Sequence, residues 1–185
     1  LATAIRGQMA ADIYRPITGD ELDRIHEDLV TAVQRYPDYP EIWNALGEVY
    51  FHNHWRGTLP DPIVEAEEAL LRASALAPDA APHREHLVQL AFWRADSALA
   101  RGRLEELALV APGSESDRIN RIIWRLLFDG PHGDAELEAA VDTLVALEDL
   151  VNIYQLYTAH PSAWPISEAL VRRIRAGAPT FYDCS

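Results

Sequence analysis

The chain has 185 residues, 49% of them apolar, and a formal net charge of −13. That length and composition fit one globular domain with a continuous core. Acidic groups are spread along the chain, which excludes nucleic acid as an expected partner because phosphate backbones are held by basic patches. No apolar run approaches the roughly 20 residues needed to span a bilayer. All 16 positive residues are Arg, a usage that fits a GC-rich, bacterial genome. A single cysteine excludes an internal disulfide, and Cys184 reads as a tail thiol. The first residues, Leu1 to Met9, lack the charged start and apolar run of a signal peptide, which favours a cytoplasmic over a periplasmic chain. A leading Leu leaves open a removed leader or a longer parent protein.

From residue 20 to about 37, Ile25, Leu29 and Ala32 recur at helical spacing, and Pro37 ends the run. Pro40 and Glu41 suit the first turn of a second helix, where a proline loses no needed hydrogen bond and a carboxylate meets the positive dipole end. In that helix Trp43, Leu46, Gly47 and Tyr50 lie along one stripe, widened by Ala45 and Val49. A glycine within a helix costs about 1 kcal/mol relative to Ala, so Gly47 predicts a close approach by a neighbouring element. Residues 52–62 read as a loop carrying His52, His54 and Trp55. Ala66, Leu70, Ala73 and Pro78 then repeat the spacing of the first run.

Residues 81–100 read as one long helix with Leu87, Leu90, Ala91, Arg94 and Ala98 on related faces. Gly102 to Glu106 reads as the turn into another helix, which Pro112 and Gly113 end early. Ile119, Ile122, Ile123, Leu126 and Leu127 predict a strongly amphipathic helix, stopped at Asp129 to Gly133. Two more helices are predicted, from about Asp134 to Leu150 and from about Pro165 to Ala176, before a tail over 177–185. No strand-like alternation of any length appears.

The order Trp43, Leu46, Gly47, Tyr50, written W-x2-L-G-x2-Y, resembles the first helix of a tetratricopeptide repeat. Ala66, Leu70, Ala73 and Pro78 are similar to the repeat's second helix and terminating proline. The resemblance is best over residues 20–78, about one and a half repeats, with 52–62 an insertion relative to the family's short turn. It implies an all-α fold, a right-handed solenoid of antiparallel helix pairs, continued over 79–176 by irregular helical hairpins within a single domain of residues 1–185. It also implies a concave groove lined by first helices, where Glu41, Asn44, Glu48, Phe51 and His52 flank the signature stripe. Relatives that clamp a C-terminal carboxylate use Lys or Arg there. Glu48 in that place disfavours a dicarboxylate peptide and favours a basic or apolar one, held by Asn44 hydrogen bonds and Phe51 packing. Trp55 and Trp164, between proline punctuation marks, are candidate contact residues or plugs over the nearest helix pair, while Trp43, Trp93 and Trp124 read as core.

Catalytic patterns are absent: no G-x-G-x-x-G, no phosphate-binding glycine loop, no G-x-S-x-G and no H-E-x-x-H. The His-Asn-His string His52 to His54 lacks the strand-and-helix context of the nuclease family of similar nickname. His52 with His54, and His83 with His86 one turn apart, are the candidate metal ligands. In an antiparallel pair these two clusters should sit about 20 Å apart, a helix length, so no shared site and no cofactor are expected. The expectation is a non-catalytic scaffold or adaptor for another protein. The alternatives are a structural subunit of a larger enzyme or envelope assembly, and a metal-binding or enzymatic helical protein centred on His52 and His54.

Overall fold

A computed structural model describes residues 18–53, 59 and 61–129. The predicted helices at 134–150 and 165–176, the tail with Cys184, and His54, Trp55 and Trp164 lie outside the described residues. Among the described residues every regular element is helical and there is no strand: α1 (Gly19–Arg35), α2 (Pro40–Asn53), α3 (Pro62–Leu76), α4 (Pro82–Trp93), α5 (Ser97–Val110) and α6 (Glu115–Trp124), with a π-helical turn at Arg125–Asp129. None of these helices is long and apolar enough to cross a membrane. The chain divides into two compact units between Leu87 and Val88.

In the first unit, α1 starts on a reciprocal cap. The Glu21 amide donates to Thr18 Oγ1 at 3.3 Å, and the Thr18 amide donates to Glu21 Oε2 at 3.0 Å, so two otherwise orphaned amides are satisfied. Leu22, Leu29, Ala32 and Val33 form its buried face. The turn at Pro37 is tied forward by the Trp43 indole, whose Nε1 donates to the Pro37 carbonyl at 2.8 Å. Trp43 itself is only partly buried, so it braces the turn rather than filling the core. Tyr50 is buried, and its hydroxyl lies 2.7 Å from His26 Nε2, joining α1 to α2.

Among the described residues the most extensive helix pairing is between α2 and α3. Gly47 explains its intimacy: a Cβ built there would stand 2.6 Å from Leu70 Cγ and 2.8 Å from Leu70 Cδ2. The predicted close approach is therefore present, and its occupant is the leucine of the second signature run. Ala66, Ala69 and Ala73 complete the buried side of α3, short side chains that let the axes come near. Leu29 and Leu70 have no exposed surface, and burying such a side chain contributes about 1.5–3 kcal/mol.

In the second unit the sequence expectation of one helix over 81–100 fails. The chain turns after Trp93, Ala95 takes a left-handed φ of 54°, and α5 begins after Asp96, whose Oδ1 accepts from the Leu99 amide at 2.9 Å. Apolar spacing runs through this corner, but an aspartate cap outcompetes helix continuation locally. Gly102, expected in a turn, lies inside α5. As predicted, α5 ends before Pro112 and Gly113, and Gly113 adopts a φ of 66°. Ser114 caps α6 by accepting from the Asp117 amide at 3.1 Å. Asp117 is buried; its Oδ2 accepts from the Gly113 amide at 3.1 Å and its Oδ1 from Arg121 Nε at 2.8 Å. Trp93 and Trp124 are only partly buried, and Trp124 Nε1 donates to the Ser97 carbonyl at 3.2 Å.

Candidate functional site

Residues 41, 44, 48 and 52 share one stripe of α2, because they are separated by three or four positions. The helix continues through Asn53, so His52 belongs to its last turn and not to the predicted loop. Glu41 is exposed at the start of the stripe. Asn44 Oδ1 accepts from His83 Nδ1 at 3.0 Å, and one turn later Glu48 Oε1 lies 3.4 Å from His86 Nδ1. These two pairings advance together along both helices. The α2 segment and the start of α4 therefore run parallel.

That arrangement overturns the expected separation of the histidines. His52 and His86 face each other with ring centroids 5.3 Å apart, where a helix length of about 20 Å was anticipated. The antiparallel argument put His52 in a loop beyond α2, whereas His52 lies in the last turn of α2, one turn past Glu48, and His86 lies one turn into α4 beside Glu48. His83, which the sequence coupled to His86, is instead engaged by Asn44 and buried.

Glu48 is the hub of the cluster. Its Oε2 lies 3.2 Å from His52 Nε2 and its Oε1 lies 3.4 Å from His86 Nδ1. One donor atom from each of Glu48, His52 and His86 falls within 4.8 Å of the others. Phe51 forms an aromatic wall, with its ring edge-on to His86 at 4.4 Å and to His52 at 5.1 Å. Phe51 is 6% exposed, so its packing is spent on these imidazoles rather than presented to solvent.

The electrostatics follow from this packing. Burial alone would raise the Glu48 carboxyl, but the His52 hydrogen bond, the charges of His86 and His52 and the Asn44 amide outweigh it and hold the group below its ordinary range. Burial lowers His86, reinforced by His52 and opposed by Glu48 and the Pro82 carbonyl. Burial and the Arg84 guanidinium lower His83. At neutral pH the site thus holds an ionised carboxylate beside a neutral His86 imidazole. A carboxylate and neutral imidazole nitrogens are the donors that bind divalent transition metals.

Sequence reasoning did not find a second feature, in the other unit. Arg101, Arg121 and Arg125 line an open cleft of about 370 Å³ with Leu104, Glu105 and Trp124. The Arg101 guanidinium stacks over the Trp124 ring at 4.9 Å, and Arg121 is held by Asp117. The i, i+4 placement of Asp117 and Arg121 was the available signal, since such pairs face each other on a helix. No protein-family model matches this chain, and no curated protein matches it significantly.

Proposed function

We propose that this protein is a non-catalytic helical-repeat scaffold, similar to tetratricopeptide proteins, that holds a basic or apolar segment of a partner protein along the α2 stripe. The observation that carries the reading is the parallel run of α2 against α4, marked by the successive pairs Asn44 with His83 and Glu48 with His86. Helix pairs stacked in this way create a continuous face of first helices, the surface on which repeat proteins bind extended ligands. The Gly47 contact with Leu70 supports the same pairing, and continuation into a right-handed solenoid is part of the proposal. Exposed Glu41 and the overall negative charge supply complementarity to a basic segment.

The test is a comparison of immobilised Arg-rich, Leu-rich and Glu-rich peptides binding the full chain. Basic or apolar peptides should bind in preference to acidic ones, and the basic binding should weaken with added salt. Glu41→Arg should reduce basic binding while leaving the circular dichroism spectrum unchanged. Equal binding of acidic and basic peptides, or full binding by Glu41→Arg, removes the α2 stripe as the site.

A further inference from the structure

We propose that Glu48, His52 and His86 bind one divalent first-row transition-metal ion, and that this ion clips α4 onto the C-terminal half of α2.

The donor set selects the class of ion. Two imidazoles and one carboxylate suit zinc, cobalt, nickel or copper, whereas calcium and magnesium prefer all-oxygen shells. Spacing agrees with the donor set. Ligands held at about 2.0–2.1 Å around a tetrahedral ion lie about 3.3 Å from one another. The two Glu48 oxygens already lie 3.2 and 3.4 Å from the two imidazole nitrogens. The widest pair in the cluster is within 4.8 Å, so side-chain rotation of about 1.5 Å closes the shell around such an ion.

Protons now occupy the places where the ion would bind. A carboxylate can only accept, so the hydrogen bond to Glu48 puts a proton on His52 Nε2, and the Pro82 carbonyl, 3.4 Å from His86 Nδ1, puts one on that nitrogen, which also lies 3.4 Å from Glu48 Oε1. A neutral imidazole can move its proton to its other nitrogen, freeing a lone pair toward the centre without changing charge. Glu48 needs no proton released, because it is already ionised. The metal would thus take the place of the N–H between His52 and Glu48 and would displace the His86 hydrogen bond to the Pro82 carbonyl.

The surroundings resemble a supported shell. Asn44 Nδ2 reaches Glu48 Oε1 at 3.5 Å, a second contact on the oxygen that faces His86. The buried Phe51 ring stands beside both imidazoles. Entry remains open, since the side chains of His52, Glu48 and His86 keep 41%, 19% and 16% of their exposure. His52 and Glu48 come from one helix and His86 from another, so a bound ion would link the two elements. Three protein donors would leave a position for water. This inference does not depend on the partner-binding reading, and a failure of either leaves the other standing.

The full chain, stripped with a chelator, would be titrated with Zn²⁺ by calorimetry and with Co²⁺ by visible absorption. A single equivalent of Zn²⁺ should bind and raise the melting temperature, and Co²⁺ should give the intense bands of a low-coordinate N/O site. His52→Gln, Glu48→Gln and His86→Gln should each weaken binding by at least about tenfold, with helicity retained. His52 is the most exposed of the three, so His52→Gln tests the site even where the other variants fold poorly. His83→Gln should bind like the parent chain, because His83 pairs with Asn44 outside the cluster. Absence of stoichiometric binding overturns the proposal. So does undiminished binding by folded His86→Gln, which would remove α4 from the site.

Discussion

Among the described residues two glycines sit in the middle of helices, one in each unit, and they are there for opposite reasons. At Gly47 in α2 an added Cβ would run into Leu70, while at Gly102 in α5 it would meet nothing within 4 Å. The first glycine is a packing residue whose helix penalty of about 1 kcal/mol is offset by the fit between two helices. The second carries the same penalty with no contact to offset it. Close apolar approach marks the pairing of α2 with α3, and a capped polar corner, Asp117 between Gly113 and Arg121, marks the start of α6.

This contrast can be broken most forcefully at Gly47. Gly47→Leu keeps helix propensity high but drives a side chain into fully buried Leu70, and overpacking of this severity should cost about 3 kcal/mol. Urea unfolding followed by circular dichroism would show the loss; a neutral result would mean that α2 and α3 can separate cheaply. At the polar corner, Asp117→Ala removes a buried acceptor of two hydrogen bonds, one from a guanidinium. A loss of about 2 kcal/mol is expected, and a change below about 0.5 kcal/mol, the range of an ordinary surface site, would demote the corner.

Gly102→Ala should act in the other direction, stabilising by about 0.5–1 kcal/mol through helix propensity alone. A destabilised Gly102→Ala would reveal a contact at that position and erase the distinction between the two glycines.

The most gradual effect is with pH. His83 and His86 lie below the ordinary imidazole value in the folded chain because burial disfavours their charged forms. The unfolded chain takes up protons first, so this contribution to stability is complete above about pH 6.5 and declines as pH falls below it. Glu48, also depressed, contributes above its unfolded value of about 4.5 and loses that contribution as pH falls further. Metal-free chain should therefore show a urea midpoint that drops from pH 7.5 to 5.5. His83→Gln should flatten the first part of the slope, and an equal slope in that variant would leave His86 as its source.

Local chemistry explains which features the sequence made legible. The Trp43 to Tyr50 stripe announced α2, and the glycine within it announced a neighbour, because both are properties of one helix and its immediate contact. Leu70 followed from the same spacing in α3. The break between α4 and α5 was misread because apolar positions stay in phase through it, and the decisive residue was the Asp96 cap. Asn44, Glu48 and His52 were legible as one face of α2, and the resemblance added Phe51. Their partner His86 was not, since its position depends on how far α4 is shifted along α2, a quantity that no residue pattern encodes. The cleft of Arg101, Arg121 and Arg125 was hidden for a related reason: net charge averages over the chain, while a cleft gathers a few residues of the minority sign.

Ala95 turns the corner after α4 with a left-handed backbone, a conformation that costs an ordinary L-residue about 1–2 kcal/mol. Glycine, asparagine or aspartate would occupy it with less strain. Evolution has thus left an improvement untaken one or two nucleotide changes away, as happens when selection maintains a threshold rather than an optimum. The corner is a reserve of stability on which drift or a designer can draw when changes elsewhere in the chain cost too much.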